Sequence, residues 1–126
     1  MTDPVTLAFT ADARNAALAR TVAAAMAARA DLTIDQLEDV RLAVDEAVSL
    51  ALVDAPPGGV ITCAFGVEGT RLDVSVSAPN PSGREPDRDT FSWTVLTALV
   101  DSVTVSTDAG TLILAFHITR HMPVEA

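Results

Sequence analysis

Lysine is absent from this 126-residue sequence, and cysteine and tryptophan occur once each. Without lysine, neither a Walker A phosphate loop nor a Schiff-base mechanism is available, since both need its amine. The single cysteine, Cys63, excludes an intramolecular disulfide and fits a reducing, cytoplasmic setting. No run of 18 or more apolar residues occurs, so no transmembrane helix and no membrane partner are expected. The opening residues, MTDPVTLAFTAD, have no basic region and carry an acid at position 3, unlike a signal peptide. Positive charge is also scarce. The eight basic residues are arginines scattered from Arg14 to Arg120, against 17 acids, for a formal net charge of −9. Phosphate contacts supply most of the affinity of nucleic-acid-binding domains, so direct binding to DNA or RNA is not expected.

Apolar residues are plentiful: 49 % of the chain is hydrophobic, enough for a core. The length reads as one domain over residues 1–126. VTLAFT (5–10) predicts a short strand. Asp12 suits the N-cap of a helix running to about Arg29, with Leu18, Val22, Ala25 and Met26 as its apolar stripe. A second helix opens at DLTIDQLEDV, where Thr33 and Gln36 form a capping box and Asp35 suits the positive helix end. Leu37, Val40, Val44, Ala47, Val48 and Ala51 follow helical spacing until Pro56–Gly59 stop the run. VITCAFGV (60–67) and RLDVSVSA (71–78) predict two strands, the second strictly alternating. PNPSGREPDRD (79–89) predicts a loop. FSWTVLTALVD (91–101) predicts a third helix with Phe91, Val95, Ala98 and Leu99 on one side. SVTVST (102–107) and TLILAFHI (111–118) predict a final pair of strands, with MPVEA a frayed tail. This order favours an α+β two-layer sandwich, a mixed sheet with helices on one face.

Chemistry-bearing clusters are few. His117 and His121 are four apart but fall in a strand and in the tail, with no third ligand nearby, so no metal site is expected. Cys63 lies in an apolar strand without a base nearby in sequence and reads as a buried structural thiol. No nucleophile-elbow glycine pattern supports a hydrolase triad. PNPSG is a poor phosphate cradle, because its two prolines remove N–H donors. The remaining oddity is DEAVSLAL (45–52). It places Glu46 between Leu42 and Leu50 at four-residue spacing on one helical face.

From about Val5 to Ile118 the sequence resembles the anti-sigma factors of the switch-protein serine kinase type. This is the RsbW family, which uses the GHKL (histidine-kinase ATPase-like) fold. The marks are NAALARTVAAAMA, LTIDQLEDVRLAVDEAVSLAL with its RLAVDEA phrase, and DAGTLILAF. FSWTVLTALVDSV is especially similar to the actinobacterial anti-sigma-F factors. The resemblance implies a protein that sequesters a sigma factor and is released by a STAS-domain anti-anti-sigma partner. It implies a homodimer formed through the first strand and helix. It also implies a partner surface on the first helix, where Arg20 matches a family arginine, with Arg14 and Asn15 beside it.

Many family members bind Mg-ATP and phosphorylate a serine of the antagonist, and here the resemblance departs from the pattern. In the first ATP motif, Glu-x-x-x-Asn, Glu46 matches the general base but Leu50 replaces the magnesium-holding Asn. Magnesium needs hard oxygen ligands, which leucine lacks. In the second, Asp-x-Gly-x-Gly, the positions hold Ala78, Asn80 and Ser82. In the Gly-x-Gly lid they hold Thr90 and Ser92, while Gly110–Thr111 keeps the late pattern. Glu46 thus reads as a vestigial base. No cofactor is expected, and Phe91 and Trp93 are expected to fill the space a nucleotide would take. The alternative is a working ATP-dependent serine kinase that uses ATP and Mg. A third reading is a dimeric scaffold for STAS proteins.

Overall fold

In a computed structural model, which describes residue 1 and residues 3–121, a five-stranded sheet carries its helices on one face. The elements are β1 (Val5–Thr10), a 3-10 turn (Ala13–Asn15), α1 (Ala16–Arg29), α2 (Ile34–Leu52), β2 (Val60–Glu68), β3 (Arg71–Pro79), α3 (Phe91–Leu99), β4 (Ser102–Asp108) and β5 (Thr111–Thr119). The α+β sandwich expected from the sequence is present. The sheet differs from the expectation in one respect: in the order β1-β2-β3-β5-β4 every neighbouring pair is antiparallel, so it is not mixed. Tight turns join β2 to β3 and β4 to β5, and a two-residue connection can only reverse direction. The methionine-to-alanine tail (122–126) lies outside the described residues.

Strand alternation places one face in the core and the other in solvent. The row Leu7, Cys63, Val76, Leu114 and Val105 runs across all five strands beneath the helices. The neighbouring row Ala8, Thr62, Ser77, Ile113 and Ser106 faces outward.

The start of α2 is fixed by chemistry legible in the sequence. Thr33 accepts from the Gln36 N–H at 3.2 Å and Gln36 Oε1 accepts from the Thr33 N–H at 3.2 Å, closing the capping box. Gln36 is buried, and its Nε2 donates to the Thr119 carbonyl at 2.9 Å, tying the helix start to the end of β5.

The other two helices turn differently from expectation. α1 buries Ala16, Ala19, Ala23, Met26 and Ala27, whereas Leu18 and Ala25 are exposed and Val22 is half-buried. Met26 is buried as expected, and four alanines make up the rest of the inner stripe, small enough to let α1 lie close against α2. The helix also begins after a 3-10 turn, with Asp12 capping that turn by accepting from the Arg14 N–H. α3 ends at Leu99 rather than residue 101, and its single buried residue is Leu96. Phe91 is 80 % exposed, Ala98 is exposed, and Val95 and Leu99 are half-buried. In a nine-residue helix that is apolar on most sides, periodicity singles out no face. The cap at Thr90, which accepts from the Trp93 N–H at 3.2 Å, helps set its rotation.

Candidate functional site

The row Leu42, Glu46, Leu50 along α2 passes from solvent into the protein. Leu42 is exposed, Glu46 half-buried, and Leu50 5 % exposed. Four residues span 400°, so such a row drifts by about 40° per step around the helix. Over two steps it turns from the outer surface toward the start of β5 and the β3–α3 loop. Leu50 there lines a cavity of about 290 Å³ whose other walls include Val53, Asp54, Asn80, Thr90 and Leu112.

The fold therefore brings together Leu50, Asn80 and Thr90, which the sequence places in three separate motifs. Ala78 is buried in β3 beneath this region, and Thr111 begins β5 opposite Pro79. Glu46, Ala78, Ser82 and Thr111 do not line the cavity. Neither Phe91 nor Trp93 lines it, contrary to the expectation that both fill this space; Phe91, at the first turn of α3, points into solvent. Trp93 packs half-buried against the core, with the Arg88 guanidinium 5.0 Å from its ring centroid.

Asn80 is the most informative of the predicted positions. It is 1 % exposed and fully engaged. Its N–H donates to the Gly110 carbonyl at 2.7 Å and its Nδ2 to the Arg84 carbonyl at 3.0 Å. Ser82 Oγ lies 3.2 Å from Asn80 Oδ1 and 3.1 Å from Asp54 Oδ2, so its one proton serves either acceptor. Arg84 Nη2 donates to Asp54 Oδ1 at 3.0 Å. Asp54 and Arg84 thus complete the site, and sequence reasoning missed both. They lie thirty residues apart, and no local spacing links them.

The predicted partner residues lie elsewhere. Arg20 on α1 reaches across to Asp45 on α2, Nη1 to Oδ1 at 2.6 Å, with side chains 37 % and 32 % exposed. Arg14 is exposed and pairs with Asp12, Nη2 to Oδ2 at 2.7 Å, which holds the Asp12 carboxyl down at about 2. Asn15 Nδ2 donates to the Thr10 carbonyl at 2.9 Å, closing the turn that leads into α1. The structure gives Arg14 and Asn15 local structural work, while Arg20 spans two helices. Cys63 is buried, and desolvation pushes its thiol up to about 11. Among the described residues no three His, Cys, Asp or Glu side chains converge as a metal site, and no helix is long and apolar enough to cross a membrane.

Residues 9–116 match the family model described as the histidine kinase-like ATPase domain. The chain belongs to that family. Among its relatives is an anti-sigma F factor of Clostridium acetobutylicum, 28 % identical over 120 residues that cover 82 % of this chain and 84 % of the relative. Another is the anti-sigma-F factor RsbW of Mycobacterium tuberculosis, 34 % identical over 99 residues. That match covers 79 % of this chain and 59 % of the relative, so the chain spans about three-fifths of its length. A crystal structure of the RsbU and RsbW domains of Rv1364c from Mycobacterium tuberculosis shares the fold, with a TM-score of 0.73 at 20 % identity. It covers 97 % of this chain, which spans about a third of that larger protein.

The fold family implies Mg-ATP, and the residues of this histidine kinase-like domain do not fit it. Leu50 offers no oxygen to magnesium. Ala78 offers no acceptor for the adenine amino group, and a missing hydrogen bond of this kind forfeits about 1 kcal/mol or more. The side chain of Asn80 is committed to the loop. Around the cavity, the carboxylates of Asp54, Glu85 and Asp87 outnumber the one guanidinium of Arg84, leaving a formal charge of −2. A polyphosphate entering here meets like charge.

Proposed function

We propose that this histidine kinase-like domain is a cytoplasmic anti-sigma factor that works by partner exchange rather than catalysis. It binds an alternative sigma factor as a homodimer and releases it when a STAS-domain anti-anti-sigma protein competes. The observation that supports this reading is a family fold over residues 9–116 whose cavity carries Leu50 and an already engaged Asn80 at two of the positions that the resemblance assigns to nucleotide. The Clostridium acetobutylicum relative named anti-sigma F factor aligns over more than four-fifths of both lengths, which supports recognition as the role of this chain. Arg20 is the candidate anchor on the partner-facing helix, since arginine makes bidentate contacts and packs its stem at interfaces. The net charge of −9 favours a partner with a basic face and speeds encounter with it.

Two titrations of the purified protein test this reading. Against alternative sigma factors of the same organism, submicromolar binding of one of them without nucleotide is expected. Against Mg-ATP and Mg-ADP, no heat is expected at millimolar nucleotide. Micromolar nucleotide binding would place the serine kinase reading first, and no sigma binding would leave the STAS scaffold.

A further inference from the structure

We propose that the β3–α3 loop, residues 80–90, is a lid held shut by the chain itself, with the Asp54 carboxylate in the place of an anionic ligand. Asp54 follows the last turn of α2, where the negative end of the helix disfavours a carboxylate. Such a residue needs a compensating cation, and Arg84 supplies it from the far side of the cavity at 3.0 Å. The second carboxylate oxygen takes the Ser82 hydroxyl at 3.1 Å. One carboxylate therefore accepts from a hydroxyl and a guanidinium of the same loop, the donor pair with which a loop ordinarily grips phosphate. The loop is also braced from within. The Arg84 N–H donates to Ser82 Oγ at 3.2 Å, and the Asn80 amide holds the Arg84 carbonyl. Releasing Asp54 would leave the Arg84 guanidinium at the wall of a cavity of about 290 Å³ without its carboxylate, and Ser82 Oγ with Asn80 Oδ1 as its remaining acceptor. The lid is thus closed without nucleotide. This inference concerns the loop alone and stands whether or not the domain sequesters a sigma factor.

Limited trypsin digestion tests it. The chain has no lysine, so trypsin cuts only after arginine, and Arg84 and Arg88 lie in the lid. An Asp54→Ala variant is expected to be cut at these two sites roughly five- to tenfold faster than wild type, the loss of one exposed ion pair and one hydrogen bond. Ser82→Ala is expected to fall between the two. Millimolar inorganic pyrophosphate should slow cleavage of Asp54→Ala and leave wild type unchanged. Equal cleavage of wild type and Asp54→Ala overturns the latch. Failure of pyrophosphate to protect the variant, or equal protection of wild type, overturns the anion-substitute role. If Asp54→Ala loosens every arginine alike, Arg84→Gln decides: it breaks the same pair from the exposed side, and cleavage after Arg88 must rise there for the proposal to hold.

Discussion

The Arg20→Ala substitution removes one end of the 2.6 Å pair with Asp45, and its effects on folding and on recognition should separate. Both side chains are about one-third exposed, so solvent screens their attraction. Pairs of this kind contribute about 0.2–1 kcal/mol, a small part of the roughly 5–15 kcal/mol that holds a domain folded. The variant should therefore fold, with its urea midpoint only slightly lowered. An arginine that anchors an interface costs about 2–4 kcal/mol when truncated, which corresponds to a Kd for the sigma factor roughly 30- to 700-fold weaker. Asp45→Ala is the matching control, since it breaks the same pair but leaves Arg20 free. It should bind within about threefold of wild type, because an arginine with no internal partner has no bond to surrender on binding. Isothermal titration with the sigma factor measures both variants. Binding of Arg20→Ala within twofold of wild type would refute the anchor. Equal weakening by the two substitutions would show that the pair matters only for the packing of α1 on α2.

Four further outcomes are expected. Leu50→Asn loses about 1.5–3 kcal/mol of apolar burial and buries an amide whose missing partners cost about 1–3 kcal/mol. Its unfolding free energy in urea should fall by about 3 kcal/mol or more, and calorimetry should still show no Mg-ATP binding. Ala109→Asn should raise unfolding free energy by about 0.5–1 kcal/mol, because Ala109 (φ +50) and Gly110 (φ +77) form a turn of the Asn-Gly kind; chemical denaturation checks it. Pairing with Arg14 holds Asp12 at about 2, below its usual 3.8. A lowered carboxyl stabilises above its unfolded pKa and ceases to do so as pH falls through the folded value. The urea-midpoint gap between wild type and Asp12→Asn should therefore be full above pH 4 and close towards pH 2. Burial pushes the Cys63 thiol to about 11, so a disulfide reagent at pH 8 should label it only at the rate of unfolding.

Features governed by neighbours in the chain were legible in the sequence. The Thr33–Gln36 box fixed the start of α2, because both partners lie within one helical turn. The strict alternation of β3 and the turn glycines fixed the hairpins, because a two-residue period and a positive φ are local properties. Leu50, where the resemblance implies an Asn, was equally plain, since no environment gives a leucine side chain an oxygen to offer magnesium.

Tertiary structure decided the rest. The buried stripe of α1 is Ala16, Ala19, Ala23, Met26 and Ala27 rather than one through Leu18 and Ala25, because a helix so rich in alanine has no apolar period that encodes which side faces inward. The β1-β2-β3-β5-β4 order, with every pair antiparallel, came from how two hairpins and an edge strand pack together beneath the helices. Asp54 and Arg84 meet only because the end of α2 and the β3–α3 loop converge over one cavity. A contact of that span depends on the whole chain having closed. The sequence alone set Leu50 where the resemblance implies an Asn, and only the folded chain brought the Asp54 carboxylate against Arg84 over the cavity that Leu50 lines.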